Sequence, residues 1–132
     1  MSKKREVFLL PTRDQFKQLM AMDYDGPIRM INLLKFKPDG GRESYNQYGE
    51  VGTPIWEKYG VHPILESDVH LPIIGDEEWD KILIAEYPSL SSFLDMNRDA
   101  EYIEKVLPYR QEALVDSRLY LIKGDESGHP SF

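Results

Sequence analysis

The chain has 132 residues, with 16 basic against 23 acidic side chains for a formal net charge of −7, and is 41% hydrophobic and 30% charged. That length bounds one domain with one core, and the composition is globular, not disordered. The acidic balance opposes a phosphate backbone or an anionic membrane surface, and the lack of cysteine removes disulfides, thiolate nucleophiles and zinc–thiolate sites, so neither nucleic acid nor membrane is an expected partner.

The basic start carries an apolar run only from Val7 to Leu10, shorter than a secretory h-region, and no stretch approaches the roughly 20 apolar residues that span a bilayer. A soluble cytoplasmic protein is the expectation. "TRDQFKQLMAMD" then spaces Phe16, Leu19, Met20 and Met22 as a short amphipathic helix, with Thr12 or Asp14 as its N-cap. The turn "DYDGP" leads into "IRMINLLKF", Ile28 to Phe36, a strand whose two faces are both apolar in the middle. Such a strand must be covered on both sides.

From Arg42 to Tyr59 the positions Tyr45, Tyr48, Val51, Ile55 and Tyr59 form one helical stripe, which Pro54 is expected to kink or divide and Gly60 to end. Its glycines, Gly49 and Gly52, read as close packing of the helix on a sheet. "VHPILESDVHLPII" reads as a second strand, bulged near Ser67, joined through the turn "GDEEWD" to a third strand, "KILIAEY". A helix follows from "SLSS", then a second helical piece capped by Asp99 and a third led by Pro108. "RLYLIKG" is the fourth strand, and residues 125–132 read as a mobile tail.

This order is an α+β, ferredoxin-like βαββαβ layout with a four-stranded antiparallel sheet and an extra N-terminal helix, one domain over 1–132 with its core at about 28–124. Helices cover one face of the sheet, so the doubled apolarity of Ile28 to Phe36 asks for a second copy of the chain on the other. RNA-recognition domains share the order but present aromatics beside basic residues on the open face; here the third strand offers Ile82, Ile84 and Glu86 there, a face suited to a dimer core.

The segments "MINLLKF", "IAEYPSLSSFLDM", "RDAEYIEKVLPYRQEAL" and "DSRLYLIKG" resemble the family catalogued as domain of unknown function 1330, within the dimeric α/β barrel superfamily. The resemblance runs from about Ile28 to Gly124 and implies the same fold and a dimer. It implies no established reaction, since the superfamily includes cofactor-independent monooxygenases, muconolactone isomerase-like enzymes, haem-binding members and proteins without known activity.

Asn32, an amide among apolar neighbours, reads either as a ligand-holding group or as an amide bonded to backbone. Arg110 offers a planar fork for a carboxylate or an ion pair with Asp99 or Glu112, and the resemblance places matching polar residues at Asp99, Tyr102 and Arg110. His62, Glu66 and His70 read as one face of the second strand, but four strand residues span about 13 Å, too far for one metal ion. His62 remains a proton acceptor by residue type, and His129 in the tail is no candidate. Tyr45, Trp56 and Trp79 are candidates to line an apolar pocket, with Tyr48 and Tyr59 read as plain core. No phosphate loop or nucleophile elbow is present. Two readings follow. One is an enzyme without cofactor acting on a small apolar or aromatic acid or ketone, with Asn32, Arg110 and His62 as its catalytic groups. The other is a non-catalytic, small-molecule-binding or structural homodimer.

Overall fold

The computed structural model describes residues 8–126; the basic start, most of the expected tail and His129 lie outside them. Helix α1, Arg13–Met20, is opened by Thr12, whose hydroxyl accepts from the Gln15 N–H while the Gln15 side chain accepts from the Thr12 N–H. Strand β1 spans Ile28–Phe36. The long helical pattern after it is divided, as Pro54 demands, into α2, Gly41–Val51, and α3, Thr53–Tyr59, which ends on Gly60 in the left-handed region at φ 70°.

Strand β2, His62–Asp68, is half the expected length, and the "VHLPII" that was to continue it runs as loop. Its bulge lies between Pro63 and Leu65, not near Ser67. Strand β3 is Lys81–Tyr87, followed by α4, Leu90–Arg98, whose first turn is capped by Ser89. Asp99 caps the next helical stretch by accepting from the Tyr102 N–H. That stretch passes through a π-helical turn, Tyr102–Val106, into α5, Leu107–Ala113. The Leu107 N–H reaches back five residues to the Tyr102 carbonyl. Pro108 lacks a donor and would press on a carbonyl four residues earlier, so a widened turn before it lets the helix continue. Strand β4, Leu114–Lys123, starts four residues earlier than expected. Asp125, expected in the tail, lies in a short 3-10 turn and accepts from the Tyr24 hydroxyl.

The sheet order is β2-β3-β1-β4, antiparallel throughout. This is the ferredoxin-like arrangement. Even-numbered residues of β1 face the helices. There Ile28 and Met30 join Ala85, Tyr87, Ile55, Leu90, Met96, Tyr102 and Val106 in one buried cluster, while Leu34 and Phe36 join Tyr45, Ala113 and Leu114 in a second. The opposite face carries Ile31, Leu33, Ile82, Ile84, Tyr120 and Ile122, with Arg29 and Glu86 paired at 2.9 Å among them. Tyr120 is 56% exposed and Ile122 37%, so the described residues leave this apolar face uncovered. No helix among the described residues is long and apolar enough to cross a membrane.

Candidate functional site

Asn32 lies at the middle of a central strand, on the face the helices cover. A residue in that position should be among the most deeply buried in the domain, yet Asn32 keeps contact with solvent. Its cross-strand neighbours extend the observation. The transverse row Glu66, Leu83, Asn32, Leu119 runs across all four strands, and every member is partly or fully exposed. In the two central strands the flanking pairs, Ala85 with Met30 on one side and Lys81 with Leu34 on the other, are buried, whereas Leu83 and Asn32 are not. The helices therefore cover the sheet less completely over its middle, where the two core clusters part, and we term this partly exposed strip the cleft.

Tyr48 of α2 packs against both clusters and so stands over the break. Around it the aromatic rings form a continuous group: Tyr45 at 5.3 Å, Trp56 at 5.3 Å and Tyr102 at 6.4 Å between centroids. Tyr48 and Tyr102 share a hydroxyl–hydroxyl bond of 3.0 Å. Tyr102 opens the π-helical turn, a departure from regular helix that recurs at functional sites. Gly52 gives the Trp56 indole its place. A Cβ there would sit 2.2 Å from the ring, and the indole N–H donates to the Gly49 carbonyl at 3.1 Å. The glycines thus accommodate Trp56 within the helix pair and do not pack the helix on the sheet.

Asn32 is fixed from one end. Its Nδ2 donates to the carbonyls of Leu83 at 3.2 Å and Met30 at 3.4 Å, which leaves Oδ1 as the open acceptor. Arg110 of α5 is partly buried, and its positive charge favours the ionised forms of Tyr45, Tyr48, Tyr87 and Tyr102. Burial outweighs that effect in every case. It pushes Tyr45 up to about 12 and holds the other three above the usual phenol range. At neutral pH all four are uncharged hydrogen-bonding groups.

The remaining sequence candidates sit elsewhere or serve the frame. Asp99 accepts from the Tyr59 hydroxyl at 2.6 Å, the Lys58 ammonium at 2.9 Å and the Tyr102 N–H at 3.0 Å. These bonds, led by that from Tyr59, hold its carboxyl well below the usual carboxylate range. It orders the helix that carries Tyr102 and does not pair with Arg110. His62 is opposite Glu86 and Glu66 is opposite Leu83, so the β2 bulge puts them on different faces, correcting the shared face expected of them. His62 is thereby excluded from the Asn32 side of its own sheet. Trp79 stacks on the Arg118 guanidinium at 4.9 Å, beside a 320 Å³ depression in the loop before β3. Arg118 lies on the uncovered face, so Trp79 belongs to that side. The sequence brought Tyr45, Trp56, Tyr102, Arg110 and Asn32 forward but left Tyr48 as core. The signal for Tyr48 was its place one turn from Tyr45 on the same stripe.

Fold and cleft define an α+β ferredoxin-like domain with an accessible space between its sheet and its helices. A model of the family described as Domain of unknown function (DUF1330) matches residues 40–125, and the chain belongs to that family. Among solved structures, the RPA0582 protein of unknown function from Rhodopseudomonas palustris is 38% identical, with a TM-score of 0.81 over 89% of this chain and 97% of its own. A dimeric protein of unknown function with a ferredoxin-like fold from Bacteroides fragilis is 17% identical, with a TM-score of 0.55 over 76% of this chain and 99% of its own. An uncharacterized NIPSNAP-like domain protein from Burkholderia xenovorans is 15% identical, with a TM-score of 0.54 over 81% of this chain and 92% of its own. The last two share the fold. No curated protein matches the chain.

Proposed function

We propose that the protein is a cytoplasmic homodimer in which each subunit holds a small, largely apolar acid or ketone in the cleft between sheet and helices. The observation that carries this reading is the accessible row through Asn32, a solvent-reached line across the centre of a face that the central strands otherwise bury. Leu83 and Leu119 give that row an apolar floor, and the tyrosine group gives it a wall. The dimer rests on the uncovered face, whose apolar centre lacks a partner among the described residues, and a Bacteroides fragilis protein of the same fold is dimeric. The cleft groups identified are hydrogen-bonding phenols, one amide and one fixed cation. The phenols and the cation complement a ligand that accepts hydrogen bonds and the open Asn32 Oδ1 complements one that donates, which favours holding a ligand over abstracting a proton from it.

Native mass spectrometry of protein purified without added ligand tests both parts. The expected particle has twice the 15.4 kDa chain mass and carries up to two copies of a small retained molecule. Replacing Ile84 with Glu is expected to yield monomers. A wild-type particle of single chain mass at micromolar concentration would remove the dimer, and a ligand retained outside the Asn32 row would remove the cleft.

A further inference from the structure

Arg110 is a partly buried cation for which no ion pair or hydrogen bond exists among the described residues. The chain has 23 carboxylate side chains, and the other partly buried arginines find them: Arg29 meets Glu86, and Arg118 meets Asp116 and Glu77. Withdrawing a guanidinium from water without a counter-charge is unfavourable, and an acidic protein has ample means to supply one. The charge of Arg110 instead acts on Tyr45, Tyr48, Tyr87 and Tyr102, which stay neutral.

Tyr45 supplies an independent observation. The residue is only 6% exposed, and its hydroxyl makes no hydrogen bond to the described residues. Among the described residues no sealed polar side-chain atom lacks a partner, so the exposed remnant of Tyr45 includes its hydroxyl. A nearly buried phenol therefore keeps its one polar atom within reach of solvent, near enough to Arg110 to feel its charge. The same holds for Asn32, whose Oδ1 is neither bonded nor sealed. Because two backbone carbonyls claim its amino group, the end left open accepts and does not donate.

We infer that the cleft is built for a planar acid bearing one hydrogen-bond donor: its carboxylate meets the Arg110 guanidinium and the Tyr45 hydroxyl, its body lies over Leu83, and its hydroxyl or N–H donates to Asn32 Oδ1. This rests on the cleft reading above and adds the charge of the ligand and the direction of each polar contact. A net charge of −7 repels anions at long range, so recognition depends on the one local cation. The planar fork of arginine suits a carboxylate, and a charge-assisted bond there exceeds what a neutral amide could make.

The test uses 6-hydroxy-2-naphthoate and 6-hydroxy-2-naphthamide as probes, with the Asn32 side-chain amide signals of nitrogen-labelled protein as the readout. The acid is expected to shift those signals and to bind about tenfold or more tighter than the amide. In Arg110→Gln the acid should fall to the level of the amide while the thermal midpoint holds, since Arg110 makes no bond the fold needs. Arg110→Lys, which keeps the charge and loses the fork, should retain part of the preference, and Tyr45→Phe should weaken the acid more than the amide. Equal binding of acid and amide, or a preference that survives Arg110→Gln, overturns the anion inference and leaves the cleft standing. If neither probe moves the Asn32 signals, the cleft reading falls with it.

Discussion

Asp99 shows how a single side chain can look like a ligand group while working for the frame. Three donors converge on its carboxylate, and each favours the charged form. Its folded-state value lies below the unfolded value of about 4, so its contribution to stability is complete above that pH and is lost as the pH falls through the window beneath it. Asp99→Asn is expected to lower the thermal midpoint at neutral pH, and its gap from the wild type should narrow steadily in titrations below about pH 4. A gap independent of pH would mean that the charge of Asp99 is not what the fold uses. At this scale the residue types were legible and their directions were not. Asn32 stood out as an amide in an apolar strand, but with both strand faces apolar, nothing local told which one the helices would cover. His62 was misplaced for a related reason. A one-residue bulge reverses every side chain beyond it, and its position depends on the partner strand.

Among the elements, those with strong local punctuation were read correctly and those shaped by tertiary pairing were not. Ile28–Phe36 and Lys81–Tyr87 carry uninterrupted apolar patterns between turn residues, and both match the structure. Strand β2 is exposed along its whole length, so its sequence was under little pressure to alternate and its end could not be found. Strand β4 gains residues 114–117 because Leu34–Phe36 are there to pair with them. The junction of α2 and α3 yields a direct test. Gly52 has ordinary helical angles, φ −76° and ψ −10°, so alanine fits its backbone but not its surroundings. Gly52→Ala is expected to displace the Trp56 indole, cost about 1–3 kcal/mol in chemical denaturation and alter the tryptophan emission. Unchanged emission would show that the ring has room the structure denies it.

For the whole molecule, the ferredoxin-like layout was legible because the order of elements and the double apolarity of β1 both follow from chain-local patterns. The cleft was not, since it exists only where rows from four strands line up. That alignment separates residues that hold the domain together from residues that do not. Leu34 is fully buried, and Leu34→Ala should cost about 2–5 kcal/mol in denaturant unfolding. Leu83, on the next row, keeps part of its surface in solvent, and Leu83→Ala should cost roughly 1 kcal/mol. Equal costs would mean that the middle of the sheet is as tightly closed as its ends.

The transverse row has one more consequence. Selection on what the cleft holds and selection on whether the chain folds act on different residues: Leu83, Asn32 and Leu119 on one hand, Met30, Leu34 and Ala85 on the other. On the proposed reading of the cleft, a lineage built on this frame can change its ligand by single substitutions without first acquiring stability to spare. On the same reading, relatives that superimpose closely are free to differ in what they hold.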